Sequence, residues 1–169
     1  MHIAAARSGL TKFHYEFFDE RQQPVGTLDF PTGLATAKGS VMASVAPAAV
    51  QDQVRFRLPE GLCELEFTGP SHEVRFTLLR EGKAVATALA SGRNRLEVTH
   101  ATREFHLTKR SSWLRLRFDV LEGPHVIGSI FEPDLFSLVR RRFVVELPRE
   151  VPNEARALLF FLMVNSVFR

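Results

Sequence analysis

The side chains in this chain best placed to do chemistry are cations. Arg55 and Arg57 lie two apart in Val54-Arg55-Phe56-Arg57-Leu58, and Arg115 and Arg117 lie two apart in Leu114-Arg115-Leu116-Arg117-Phe118. In an extended strand each pair shares one face. Lys109 and Arg110, and the run Arg140, Arg141 and Arg142, fall beside strand ends. A guanidinium group grips phosphate or carboxylate through paired N–H···O bonds. These residues are therefore the candidate binding set for an acidic phospholipid headgroup or another anionic ligand. A plain solvated outer face is the competing explanation, because alternation along a half-buried strand demands polar residues there in any case. Nucleic acid is the weaker partner: it calls for aromatic rings exposed among the cations, and the Phe residues here sit on apolar faces.

Other chemistry finds little support. His2, His14, His72, His100, His106 and His125 are scattered, with no His-x-His, His-Glu-x-x-His or Cys/His spacing, so no metal site is expected. Gly-x-Ser-x-Gly and the glycine-rich phosphate loops are missing, and Ser111-Ser112 reads as a turn before Trp113. The expectation is a protein that is not an enzyme and carries no cofactor. Cys63, in Leu62-Cys63-Glu64-Leu65, reads as a small buried hydrophobe, and a single cysteine builds no disulfide framework.

The elements that must position these cations are strands. Val54, Phe56 and Leu58 alternate with Arg55 and Arg57; after Pro59-Glu60-Gly61, Cys63, Leu65 and Phe67 alternate with Leu62, Glu64 and Glu66. Phe13 to Phe18 and Val25 to Phe30 form a hairpin with a polar tip. Further strands are expected at 73–79, 84–89, 95–99, 104–108, 113–120, 125–131 and 142–147, with a weak one near Ser40 to Val45. About ten to twelve short strands with no helix between them make this a mainly β, antiparallel chain.

At 169 residues, 45% hydrophobic and 24% charged, the chain reads as a single domain, 1–169. Fifteen Phe against one Trp and one Tyr supply bulk without polar handles, as a closed interior needs. The net charge of +3 permits an anionic partner without requiring one. Met1 to Leu10 lacks the apolar core of a signal peptide, so the expected location is cytoplasmic, peripheral to a membrane if lipid is the ligand.

The last stretch departs from the strand pattern. Pro152 and Asn153 mark a helix start, Glu154 sits near the positive end of the helix dipole, and Ala155 to Val164 is apolar on every side apart from Arg156. A helix over about 153–168 with no polar stripe is enclosed by protein or inserted in lipid. Its apolar run is about half of the ~20 residues a bilayer crossing needs, so enclosure is expected and no transmembrane span.

An internal repeat links the strands. Val25-Gly26-Thr27-Leu28 follows Phe17-Phe18-Asp19, Val85-Ala86-Thr87-Ala88-Leu89 follows Leu78-Leu79-Arg80-Glu81-Gly82, and Val126-Ile127-Gly128-Ser129-Ile130 follows Val120-Leu121-Glu122-Gly123. Each is a strand, an acidic turn, then an apolar residue before a small one. Small residues in strands mark close backbone approach or a bend, and the repetition predicts a wrapped or duplicated sheet.

This hairpin grammar, joined to a wholly apolar C-terminal helix, resembles the tubby C-terminal-like superfamily, nearest its LURP-one-related and phospholipid-scramblase branch. The resemblance rests most on Trp113 to Ile130 and Phe143 to Phe168. It implies a closed antiparallel barrel of about twelve strands threaded by the helix. The Pro-rich leader and acylated Cys cluster of scramblases are missing, and no phosphoinositide-binding position of tubby carries over to a residue here. Three roles follow: a binding module for anionic lipid or ligand, a protein-interaction or regulatory scaffold, and a carrier of a small apolar molecule. A helix that fills the barrel leaves the third role no cavity.

Overall fold

A computed structural model of the chain describes residues 2–8, 12–31, 54–68, 73–91, 95–110, 116–133 and 142–167. Within them lie β1 (His2–Ser8), β2 (Lys12–Phe18), β3 (Pro24–Pro31), β4 (Arg55–Leu58), β5 (Gly61–Thr68) and β6 (Glu73–Arg80). There follow β7 (Lys83–Ser91), β8 (Arg95–His100), β9 (Arg103–Lys109), β10 (Arg117–Glu122), β11 (His125–Phe131), β12 (Arg142–Glu146) and the helix α1 (Asn153–Val167). Each strand pairs antiparallel with its neighbours in the chain, and β1 pairs with β12 as well as with β2, so the sheet closes into a barrel. Closure gives every strand a neighbour on both sides, although β1 meets β12 over only His2 to Ala4.

Period-two alternation sets which side chains enter. Along β5 the burial runs outward and inward in turn, with Cys63, Leu65 and Phe67 buried and Leu62, Glu64 and Glu66 exposed. Arg55 and Arg57 face out on β4 while Phe56 and Leu58 face in. Glu64 stands opposite Arg55 in the register, as does Asp29 from β3. The sequence gives no warning of β1: Ala4-Ala5-Ala6 is a poor strand former, and pairing on both sides overrides that propensity. The last long strand before β11 begins at Arg117, and Leu116 ahead of it is irregular. The weak strand expected near Ser40 to Val45 and the run 111–115 lie outside the described residues.

α1 is the centre of the core. Ala157 to Val164 are each at most 1% exposed. Phe160 packs edge-on against Tyr15, Phe17 and Phe143 with centroids 5.1, 5.9 and 5.3 Å away, and Phe161 does the same against Phe56 and Phe76 at 6.0 and 5.4 Å. These partners come from β2, β12, β4 and β6, so strands on several sides converge on two adjacent helix residues. Burying a side chain of this size is worth ~1.5–3 kcal/mol.

The repeated grammar is a repeated bulge. In the register, Phe17 faces Gly26 while Phe18 faces Pro24; Leu78 faces Ala86 while Leu79 faces Ala84; Val120 faces Gly128 while Leu121 faces Val126. The skipped residue is Val25, Val85 or Ile127, and all three pack partly buried against the core. The bulged hairpins β2–β3, β6–β7 and β10–β11 recur every fourth strand around twelve. A bulge bends its strand and sharpens the twist, so three evenly spaced bulges distribute the curvature that closure requires.

The connections sort by end. Turns 19–23, 59–60, 81–82, 101–102 and 123–124 lie at the end where α1 enters, and the described residues with positive φ lie in them, including Gln22 (φ 59°), Ala101 (φ 53°) and Gly82 (φ 72°), or, for Gly61 (φ 130°), directly after one. We call this the entry end and the opposite one the far end.

Candidate anion-binding surfaces

Of the nine sequence-selected cations six are described, and five of those six stand at one end of the barrel rather than on one side. Arg55 opens β4, Arg117 opens β10, Arg142 opens β12, Lys109 closes β9 and Arg110 follows it; all five stand at the far end. Arg57 lies nearer the entry end. Arg115, Arg140 and Arg141 lie outside the described residues. No side wall collects the set: β4 is six strands from β10 in either direction around the barrel. The rim does. Of the twelve strand termini at the far end, Lys12, Arg55, Arg95, Lys109, Arg117 and Arg142 are basic, and Glu73 alone is acidic.

Part of that charge is engaged locally. Arg110 Nε lies 3.1 Å and Arg117 Nε 3.6 Å from the Asp119 carboxylate, so two cations share one anion. Arg117 also donates from Nη2 to Ser129 Oγ at 3.2 Å and lies 5.3 Å from the centroid of the Phe131 ring. Ser129 donates in turn to Glu146 at 3.4 Å. The guanidinium of Arg117 is thus a packed, half-exposed group, whereas Arg55, Lys109 and Arg142 are exposed.

The entry end is organised differently. Here the segment 147–152 crosses from β12 to α1, held by polar contacts. Glu154, in the first helical turn and 5% exposed, accepts a hydrogen bond from Arg80 Nη1 and lies 3.9 Å from His100 Nε2. Arg103 grips Glu122 with two N–H groups at 2.6 and 2.9 Å and donates a third to the Glu150 carbonyl at 2.7 Å. That hydrogen bonding holds the Glu122 carboxyl below its ordinary pKa. The side-chain amide of Asn153 ties the helix start to the β4–β5 turn, Nδ2 donating to Glu60 at 2.8 Å, and the Pro152 carbonyl accepts a helical N–H from Arg156.

Between the β2–β3 turn and this segment lies a cleft of about 320 Å³, lined by Asp19, Glu20, Arg21, Arg149, Asn153 and Arg156 with Val25 and Pro59. Arg156 donates from Nη2 to the Pro148 carbonyl at 2.6 Å, while its Nε is buried without an acceptor among the described residues. Burial pushes the Arg156 guanidinium below its ordinary pKa. Glu20 and Arg149 meet at 2.7 Å, both well exposed, and this pairing lowers the pKa of Glu20. Asp19 Oδ1 accepts the backbone N–H groups of Arg21 and Gln23, which fixes the turn. Spacing alone does not point to Arg21, Arg149 and Arg156: they are 128 and 7 residues apart in the sequence, and only the fold brings them together.

Among the described residues, no group of three or more His, Cys, Asp or Glu side chains could hold a metal ion, and no helix is long and apolar enough to cross a membrane. Cys63 is a free, fully buried thiol. No family model matches the chain, and no curated protein or solved structure matches it.

Proposed function

We propose that the chain is a non-enzymatic binding module that meets an anionic phospholipid surface with the far end of its barrel. The observation that carries this is the rim, where six of twelve strand termini are basic and one is acidic. A ring of cations around one end presents its charge to a flat surface better than to a compact ligand. Each exposed cation close to an acidic membrane contributes on the order of 1 kcal/mol, so several acting together give reversible attachment. The entry end, where the strand termini Arg80, Lys83 and Arg103 stand with Glu122 and Glu146, is mixed in charge and would then point away from the lipid.

The chain is, on this reading, a single tubby-like domain of the LURP-one-related and scramblase-like branch. Twelve strands around an enclosed C-terminal helix support it. A carrier of apolar molecules is disfavoured because α1 occupies the space such cargo would need. Co-sedimentation with vesicles tests the proposal: binding should require acidic phospholipid, weaken with added salt, and fall in a R55Q/K109Q/R142Q variant. Equal binding to neutral and acidic vesicles, or to neither, overturns it.

A further inference from the structure

We propose that the cleft at the entry end is a separate site for a compact oxyanion, a phosphate or carboxylate group held by Arg21, Arg149 and Arg156, with Glu20 occupying part of that place in the free protein. Its volume of about 320 Å³ is at the small end for a ligand pocket, and six of its eight lining residues are charged or polar, which suits a headgroup-sized anion.

Three arginines reach the cleft from three segments: the β2–β3 turn, the 147–152 crossing and α1. Arg156 retains donor capacity: one nitrogen serves the Pro148 carbonyl, and Nε has no acceptor among the described residues. A buried donor left unpaired costs free energy, and an incoming oxygen would recover it. Arg149 already binds an oxyanion, since the Glu20 carboxylate lies 2.7 Å from its Nη2. That pair is highly exposed, so it is held weakly and a competing anion displaces it readily. Asp19 does not compete for the same cations with its Oδ1, which is committed to two backbone N–H groups.

This site and the far rim lie at opposite ends of the barrel, so variants separate them. The probe is inorganic phosphate, titrated by thermal unfolding and isothermal calorimetry of the full chain against chloride at equal ionic strength. The unmodified chain should show a phosphate-specific rise in Tm. R21Q/R149Q, at exposed positions, should remove that rise. Arg156 stays in place because it also supports Pro148. E20Q should shift the phosphate midpoint several-fold lower, by removing the internal competitor. The R55Q/K109Q/R142Q variant should respond to phosphate like the unmodified chain. A phosphate effect no larger than that of chloride, or one that survives in R21Q/R149Q, overturns the proposal. Acidic vesicles identify the source: unchanged vesicle binding in R21Q/R149Q marks a free oxyanion as the ligand, and lost binding marks a lipid phosphate.

Discussion

Arg80 Nη1 donates to Glu154 Oε1 at 2.8 Å, joining the end of β6 to the first turn of the central helix. The two partners are unequal: the Glu154 side chain is 7% exposed and that of Arg80 32%. Losing one member of a buried pair strands the other, and the stranded group pays according to how far it is from water. Arg80→Met, which leaves Glu154 enclosed, should therefore cost about 2–4 kcal/mol in urea unfolding. Glu154→Leu should cost less, because Arg80 can turn to solvent, and the double variant should be more stable than Arg80→Met alone. Equal costs for the two single changes would contradict this account.

The interior should tolerate shortening and reject charge. Phe161→Ala removes a ring packed against Phe56 and Phe76 and should cost about 3–5 kcal/mol. Leu159→Asp or Phe161→Asp places an unpaired carboxylate in the middle of the core and should abolish folding, seen as loss of soluble protein with near-UV circular dichroism. Well-folded protein from either charged variant would place α1 outside the barrel.

Two glycines are set by neighbouring backbone. A Cβ on Gly26 would strike the Arg57 carbonyl oxygen, and one on Gly128 would strike the Glu146 carbonyl oxygen. Gly26→Ala and Gly128→Ala should each destabilise by about 1–3 kcal/mol, since a peptide group in a ladder moves less readily than a side chain. Chemical denaturation of both variants checks this, and a loss under half a kcal/mol in either, on the order of an ordinary surface change, would count against the bulge geometry.

Arg103 and Glu122 give a pH signature. Hydrogen bonding to Arg103 lowers the Glu122 pKa in the folded chain from its ordinary 4.5, so the unfolded chain takes up the proton first as pH falls. The stabilisation is complete above pH 4.5 and fades as pH drops through the lowered folded value. In Arg103→Met this part of the acid dependence should vanish, while loss of the bond to the Glu150 carbonyl adds an offset that does not change with pH. Unfolding titrations from pH 7 to 2.5 should show the gap between the two proteins' stabilities narrowing on the acid side to that constant offset.

Cys63 reports on the entry end. Burial raises the pKa of its thiol, and the nearby Glu154 charge raises it further. A thiol reagent at pH 8 should therefore label the folded chain only as fast as it opens, and labelling should accelerate in Arg80→Met. Rapid, stoichiometric labelling of the native protein would show the thiol to be accessible.

Much of the barrel was legible because local pattern and tertiary role agree. Val54 to Leu58 and Leu62 to Phe67 alternate in the sequence as they do in burial, and Ala157 to Val164 reads as apolar because every side of it is covered. The three Val/Ile-Gly/Ala steps were visible as a repeat, although only the register shows that each sits at a skipped residue. β1 was hidden because its stability comes from two partners and little from Ala4 to Ala6. The basic positions were legible as types and strand ends, whereas their gathering on one rim depends on which end each strand starts from. The cleft was illegible for a similar reason: Arg21 is distant in the chain from Arg149 and Arg156, and Arg156 reads in isolation as a lone blemish on an apolar helix.

The order of elements along the chain has a consequence for synthesis. β1 and β12 pair across some 140 residues, His2 against Val144, and the helix they surround follows both. Until α1 emerges, the inner faces of the hairpins already made, with Phe17, Phe56, Phe76 and Phe105 among them, have nothing to wrap. Pairing over such a separation is slow, so the nascent chain spends its growth as a set of sticky, half-formed hairpins. A cell making this protein would need to shield those faces until the final helix supplies their common partner.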